Sequence, residues 1–189
     1  MAETTPFKKL ERSFYERGAL ELARDLIGKI LVRPFRGREY RGRIVETEAY
    51  VGAHDLACHA SKGRTKRTEV MFGPAGHAYV YFIYGVYEML NVVAGDVGDA
   101  QAVLIRGAVA LDGWQADLSG PGKLSRAFRI RLSENGLDLT GDALYFTDNP
   151  GYRPQIVAGK RIGVDYAKEW KDAMLRFVDA ASLTKKGRK

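Results

Sequence analysis

Residues 43–91, RIVETEAYVGAHDLACHASKGRTKRTEVMFGPAGHAYVYFIYGVYEMLN, hold the two clearest β signals of the chain and, between them, its densest basic loop. The opening octet alternates with period two, so Ile44, Glu46, Glu48 and Tyr50 share one face of a strand and Val45, Thr47 and Ala49 the other. The closing run, AYVYFIYGVYEMLNVV, has aromatic and β-branched residues on both sides of a break at Tyr84–Gly85, which predicts a β-hairpin. Its alternation sends Tyr79, Tyr81 and Ile83 one way and Val80, Phe82 and Tyr84 the other. A large aromatic at the tip is unusual, because turns favour Gly, Asn or Asp. Residues 51–76 lack periodicity and are rich in Gly, His and basic side chains, as expected of a functional loop.

Upstream, SFYERGALELARDLI at 13–27 puts Leu20, Ala23, Leu26 and Ile27 at helical spacing, with Gly28 where a left-handed C-terminal residue belongs. KILVRPF and RIVETEAY then predict two strands joined around Gly37 to Gly42. Downstream, a turn at 95–101 leads into the apolar strand AVLIRGAVAL, interrupted by Arg106. A buried arginine needs an anionic partner, and Glu48 is a candidate. GPGKLSRAFRIRL opens a basic helix with Lys123, Arg126, Arg129 and Arg131; it fails the P-loop pattern, since Asp117 stands at the first glycine position and Leu124 follows the lysine. Its first N–H groups suit a phosphate. The rest is turn-rich β sequence ending in a basic tail. The expected fold is α/β of the α+β type: one domain over 1–189, a curved, mainly antiparallel sheet with short surrounding helices and a protruding hairpin, and a disordered tail at 184–189.

With 30 Lys and Arg against 23 Asp and Glu, the net charge is +7 and favours a polyanionic partner. Cys58 is the only cysteine, which excludes an intrachain disulfide, a cysteine-ligated zinc site and a Cys₄ iron–sulfur cluster. His54 and His59 have no standard metal spacing and HExxH is absent, so neither a metal nor a cofactor is expected. Charges fill the first residues and no run reaches the roughly 18 apolar residues of a membrane span. No membrane association is expected, and the location expected is cytoplasmic, nucleoid-associated if the source is prokaryotic. Glu46 and Glu48 on one strand face fit a solvated surface or a site; Tyr50 beside them and the basic loop after them favour a site.

RIVETEAY, His59, MFGPAGHAYVYFIYGVYEMLN, VLIRGA at 103–108, GPGKLSRAF at 120–128 and RIGVDYAKEW at 161–170 together resemble the alkyladenine (3-methyladenine) DNA glycosylase family over nearly the whole chain. The resemblance implies a monofunctional enzyme, active as a monomer, that flips alkylated or deaminated purines out of double-stranded DNA and hydrolyses the N-glycosidic bond. It carries the general base onto Glu48, puts Arg106 near the catalytic water, and gives a main-chain carbonyl at Ile162 a share in holding that water. Tyr50, His59 and Tyr81 become the aromatic walls around the flipped base, and Asn91 the floor residue that crowds the amino group of guanine. Tyr84 becomes the wedge that fills the gap in the duplex, with Val86 and Tyr87 beside it in the minor groove. Arg64, Lys66, Arg67 and Lys123 become phosphate contacts. Alkylated purines such as 3-methyladenine and 7-methylguanine leave as cations and need no general acid; hypoxanthine and ethenoadenine are further candidates. The competing reading is a non-catalytic nucleic-acid-binding module, which has no use for a carboxylate aimed at a polyanion.

Overall fold

The computed structural model describes residues 7–183; the tail expected at 184–189 lies outside them. Among the described residues eight strands join in one antiparallel sheet: β1 (Ile30–Phe35), β2 (Arg38–Tyr50), β3 (Ala78–Ile83), β4 (Tyr87–Ala94), β5 (Gln101–Ala110), β6 (Tyr145–Thr147), β7 (Ile156–Gly159) and β8 (Arg176–Asp179). The order is β3-β4-β5-β2-β1-β6, and β8, carrying β7, pairs with β2 past the end of β1. The 13-residue β2 is thus the hub, flanked by β5 and β8 where Glu46 and Glu48 lie.

Helices α1 (Arg12–Tyr15), α2 (Ala19–Asp25), α3 (Pro121–Ala127) and α4 (Ala180–Leu183) are all short. The single helix expected over 13–27 is two, broken before Gly18, which stands as the N-cap of α2. Starting at Ala19, α2 buries Ala19, Leu22, Ala23 and Leu26 at helical spacing. Leu20 therefore falls on the outer side, 48% exposed, and is not a core residue. Gly28 does take positive φ, 87°. The β1–β2 connection is tighter than expected: Arg36 and Gly37, at φ 50° and 74°, make the whole turn, and β2 begins at Arg38.

Simple alternation also fails at one point of β2. Ile44 was expected to share a face with Glu46 and Glu48, yet it packs in the main core with Ala49 and the α2 side chains. The cause is a pair of register shifts against β5, where Val45 on β2 and Arg106 on β5 each have no opposite number. An extra residue on a strand inverts its phase. Ile44 and Ala108 return to the core face, while Glu46, Glu48 and Arg106 stay together on the other.

Candidate active site and nucleic-acid interface

The sheet has two unlike faces. Val80 of β3, Leu90 and Val92 of β4, and Val103 and Ile105 of β5 pack with α2. Their alternates, Tyr79 and Tyr81, Asn91, and Leu104 and Arg106, line a cavity of about 280 Å³ on the opposite face. The segment 51–76 covers one side of it: two 3₁₀ turns, His59–Lys62 and Glu69–Phe72, hold Cys58, Ala60 and Met71 against Tyr79 and Val93. Residues 161–170 cover the other, anchored by Val164 and Ala167 against Ala57.

Glu48 has no solvent exposure and lies behind Tyr50, Arg106 and Ile162, which line the cavity. Three donors meet its carboxylate. The Ile162 N–H donates to Oε1 at 2.8 Å, the Tyr50 hydroxyl to Oε2 at 2.9 Å, and the Arg106 guanidinium lies 3.4 Å from Oε2. Burial pushes the carboxyl above its ordinary value, and Arg106, the Ile162 N–H and the Tyr50 hydroxyl pull it back down. A carboxylate has room for about four hydrogen bonds, so this arrangement retains capacity for one more donor. Glu46 is half-buried and holds Arg106 and Arg176, each at 3.2 Å. It steers the same guanidinium that faces Glu48.

His59, Tyr79 and Tyr81 come together on the cavity. The His59 ring meets Tyr81 edge-on at 4.6 Å between centroids, and its Nδ1 lies 2.8 Å from the Tyr79 hydroxyl. Burial first, then Arg67 and Lys62, lower the His59 pKa to about 4, so the imidazole is neutral at neutral pH. Asn91 directs its amide NH₂ to the carbonyls of Tyr79 and Met89, at 3.1 and 3.2 Å, which leaves its Oδ1 to face outward from that pair.

At the tip, Tyr84 is 82% exposed and sits at φ 54°, followed by Gly85 at 68°. The Val86 N–H closes the turn on the Ile83 carbonyl. Two positive φ values define the hairpin turn that matches strand twist, but an aromatic residue in the first of them is strained. Val86 and Tyr87 are exposed beside it. Tyr87 lies over Gly122 of α3, where a Cβ would fall 2.5 Å from the ring, so only glycine allows the helix to brace the hairpin.

The four predicted phosphate ligands differ. Lys66 is exposed with no ion-pair partner among the described residues. Arg67 lies over the Tyr81 ring at 5.2 Å, propping the wall. Arg64 is held twice by Glu69 at 2.9 and 2.6 Å, and Lys123 by Asp117 at 2.7 Å, so each already has a carboxylate partner.

One functional group escaped the sequence reading. Arg161 and Asp55, both wholly buried, make two bonds of 2.5 and 2.9 Å. The same guanidinium donates to the Ala49 carbonyl at 2.9 Å and lies 4.8 Å from the Tyr50 ring centre. It thereby ties the loop bearing Ile162 to the strand bearing Glu48 and Tyr50. Neither residue carries a local pattern that predicts the pairing; an arginine directly before Ile162, which contacts Glu48, is the one available signal.

Comparison with known proteins agrees with this geometry. A family model described as methylpurine-DNA glycosylase (MPG) matches residues 13–183. A Legionella pneumophila (strain Lens) protein named "Putative 3-methyladenine DNA glycosylase" is 52% identical over 171 residues, covering 90% of this chain and 93% of its own. Proteins of the same name from Anaeromyxobacter sp. (strain Fw109-5) and Methanocella arvoryzae are 50% identical over 170 residues, covering 89% and 88% of the two chains, and 48% over 187, covering 92% and 93%. The chain, with its buried glutamate behind an aromatic cavity, belongs to the methylpurine-DNA glycosylase family.

Proposed function

We propose that this chain extrudes alkylated purines from duplex DNA and hydrolyses the N-glycosidic bond with water activated by Glu48. The observation that carries the reading is Glu48 itself: a carboxylate with no exposure, fixed by three donors, Tyr50, Arg106 and Ile162, that themselves line the aromatic cavity. A general base needs its pKa near the working pH, and desolvation moves Glu48 in that direction while Arg106 keeps the ionised form within reach. The remaining acceptor site takes the water, which the Ile162 carbonyl holds from the other side. The ionised carboxylate also faces the positive charge that grows on the sugar as the bond breaks.

The extruded base stacks among Tyr50, His59 and Tyr81. Because His59 is neutral, it does not repel a cationic methylated purine. For the same reason it holds no proton for a neutral leaving group at pH 7, so 3-methyladenine and 7-methylguanine are the preferred substrates and hypoxanthine and ethenoadenine the slower ones. Asn91 on the floor crowds guanine. Tyr84 enters the minor groove and fills the vacated space, offsetting the few kcal/mol that extrusion costs. No lysine lines the cavity among the described residues, in keeping with a hydrolase that leaves an abasic site without cutting the strand. The protein acts as a monomer, cytoplasmic and associated with the nucleoid if prokaryotic; among the described residues no helix is long and apolar enough to cross a membrane.

The test is single-turnover base release from duplexes carrying 7-methylguanine or hypoxanthine, with strand integrity followed in parallel. Faster release of 7-methylguanine and an intact strand are expected. Release of neither base, or scission without heat or alkali, contradicts the reading.

A further inference from the structure

The sheet register sends a second hairpin in the same direction as the first. Along β4, the path from Asn91 to Tyr87 runs toward the Ala110 end of β5, since Asn91 is opposite Leu104 and Ala94 opposite Gln101. Along β2, the path from Tyr50 to Gly42 runs toward that same end, with Gly42 opposite Ala110, and β2 continues past it to Arg38. The Tyr84–Gly85 tip and the Arg36–Gly37 turn therefore project from one end of the sheet, two strands apart, or roughly 10 Å before twist is counted.

A cationic path joins them. Arg126 of α3 lies 6.0 Å from the ring of Tyr87 in the first hairpin. Arg129, just past the end of α3 at φ 55°, lies 4.8 Å from the ring of Phe35, and Arg36 lies 5.3 Å from that same ring. Two guanidinium groups thus share one aromatic support at the base of the second turn. Arg38 follows, over Tyr40 at 5.3 Å. All four arginines are exposed, and none has a carboxylate partner among the described residues. Glu39, the nearest carboxylate in sequence, is committed to Tyr145 at 3.1 Å and Arg41 at 3.7 Å. On a chain where Arg64, Lys123 and Arg131 are each paired with a carboxylate, four adjacent free arginines held in place by aromatic rings form a distinct surface. Guanidinium groups fixed in this way suit phosphate oxygens, because the planar fork is already oriented.

We propose that Arg126, Arg129, Arg36 and Arg38 form a track that grips the DNA backbone beyond the lesion, extending the duplex-binding surface from the Tyr84 hairpin to the β1–β2 turn. The inference rests on the duplex-DNA reading above, and it adds a second anchor remote from the chemistry. This anchor governs affinity and residence on DNA, and leaves bond cleavage in the bound complex untouched.

The test measures binding of the full chain to a lesion-containing duplex as a function of salt, for the native protein, Arg36→Gln/Arg129→Gln, and the charge-keeping Arg36→Lys/Arg129→Lys. Each phosphate contact contributes about 0.9 to the slope of log affinity against log salt. The Gln pair is expected to lower the slope by roughly 1.8 and the Lys pair to restore most of it, with melting temperature and single-turnover release at saturating enzyme unchanged. Shortening the duplex from one end should erase the difference between native and Gln variants, while shortening it from the other should keep it. An unchanged slope, or a loss of affinity that persists with both shortened duplexes, overturns the track. Because the slope is read without catalysis, that failure is separate from a failure of native protein to release any base, which would count against the glycosylase reading instead.

Discussion

The Glu48 site and the Tyr84 tip sit on adjoining parts of one sheet and are built in opposite ways. The Glu48 carboxylate is wholly buried and met by three donors, and the backbone is re-aimed by adjacent bulges on β2 and β5. At the tip one tyrosine is exposed and in a strained conformation, with a single turn hydrogen bond beneath it. The difference fits the roles proposed for the two parts. A base activating water needs fixed geometry and a tuned pKa, which only an over-determined, dry environment supplies. A group that enters a duplex has to meet its partner in solvent, so its apolar area stays uncovered in the free protein, and the strain persists because the strands on either side hold the turn.

That contrast can be broken most severely at the buried ion pair. Asp55→Ala leaves Arg161 buried without its carboxylate, and an orphaned partner of this type costs about 3–5 kcal/mol. A large drop in melting temperature is expected, with Asp55→Asn intermediate; an unaltered melting curve would mean that the Arg161 clamp does not hold the Ile162 loop to β2. Next in size is the wedge. Tyr84→Ser removes a stacking group whose contribution is about 1–3 kcal/mol in comparable contacts, so lesion excision under subsaturating conditions should fall roughly 5- to 150-fold with folding intact. Unchanged excision would remove the wedge role.

The pH dependence sharpens the account of the buried site. Arg106 lowers the pKa of Glu48 against the upward push of burial. Arg106→Gln should therefore raise it, and since a general base acts only when ionised, the acid limb of kcat/KM should move to higher pH. A limb that stays in place, or moves to lower pH, would show that Arg106 does not tune this carboxylate. The smallest effect belongs to the tip. Tyr84→Asn places at φ 54° a residue that tolerates the left-handed region, so stability should rise by about 0.5–1 kcal/mol while excision falls. Thermal denaturation checks the sign; a loss of stability would mean that the exposed ring is held by contacts that outweigh its strain.

The two regions were also unequally legible in the sequence. The hairpin declares itself locally: aromatic and β-branched residues on both sides of Tyr84–Gly85 fix the strands, the turn and the odd residue at its tip. Glu48, Tyr50, His59, Tyr81 and Asn91 could be named because long matched blocks carry them, and alternation put Tyr79 and Tyr81 on one face as observed. Alternation misplaced Ile44, because a bulge depends on the register with β5 and leaves no mark in β2 alone. Leu20 was misplaced for a related reason: the helix breaks before Gly18, and its buried stripe starts afresh at Ala19. The Arg161–Asp55 pair and the Arg129–Phe35–Arg36 stack join residues about a hundred positions apart, which no window of local sequence reveals.

The most direct test compares release of methylated purines from alkylated duplex DNA by the native chain and by Glu48→Gln, with binding to the same duplex measured alongside. Loss of a positioned general base costs typically 10²–10⁴-fold, so native protein should free the base while the variant binds comparably and releases it at least about a hundredfold more slowly. Equal release by both proteins would contradict the assignment of Glu48 as the general base.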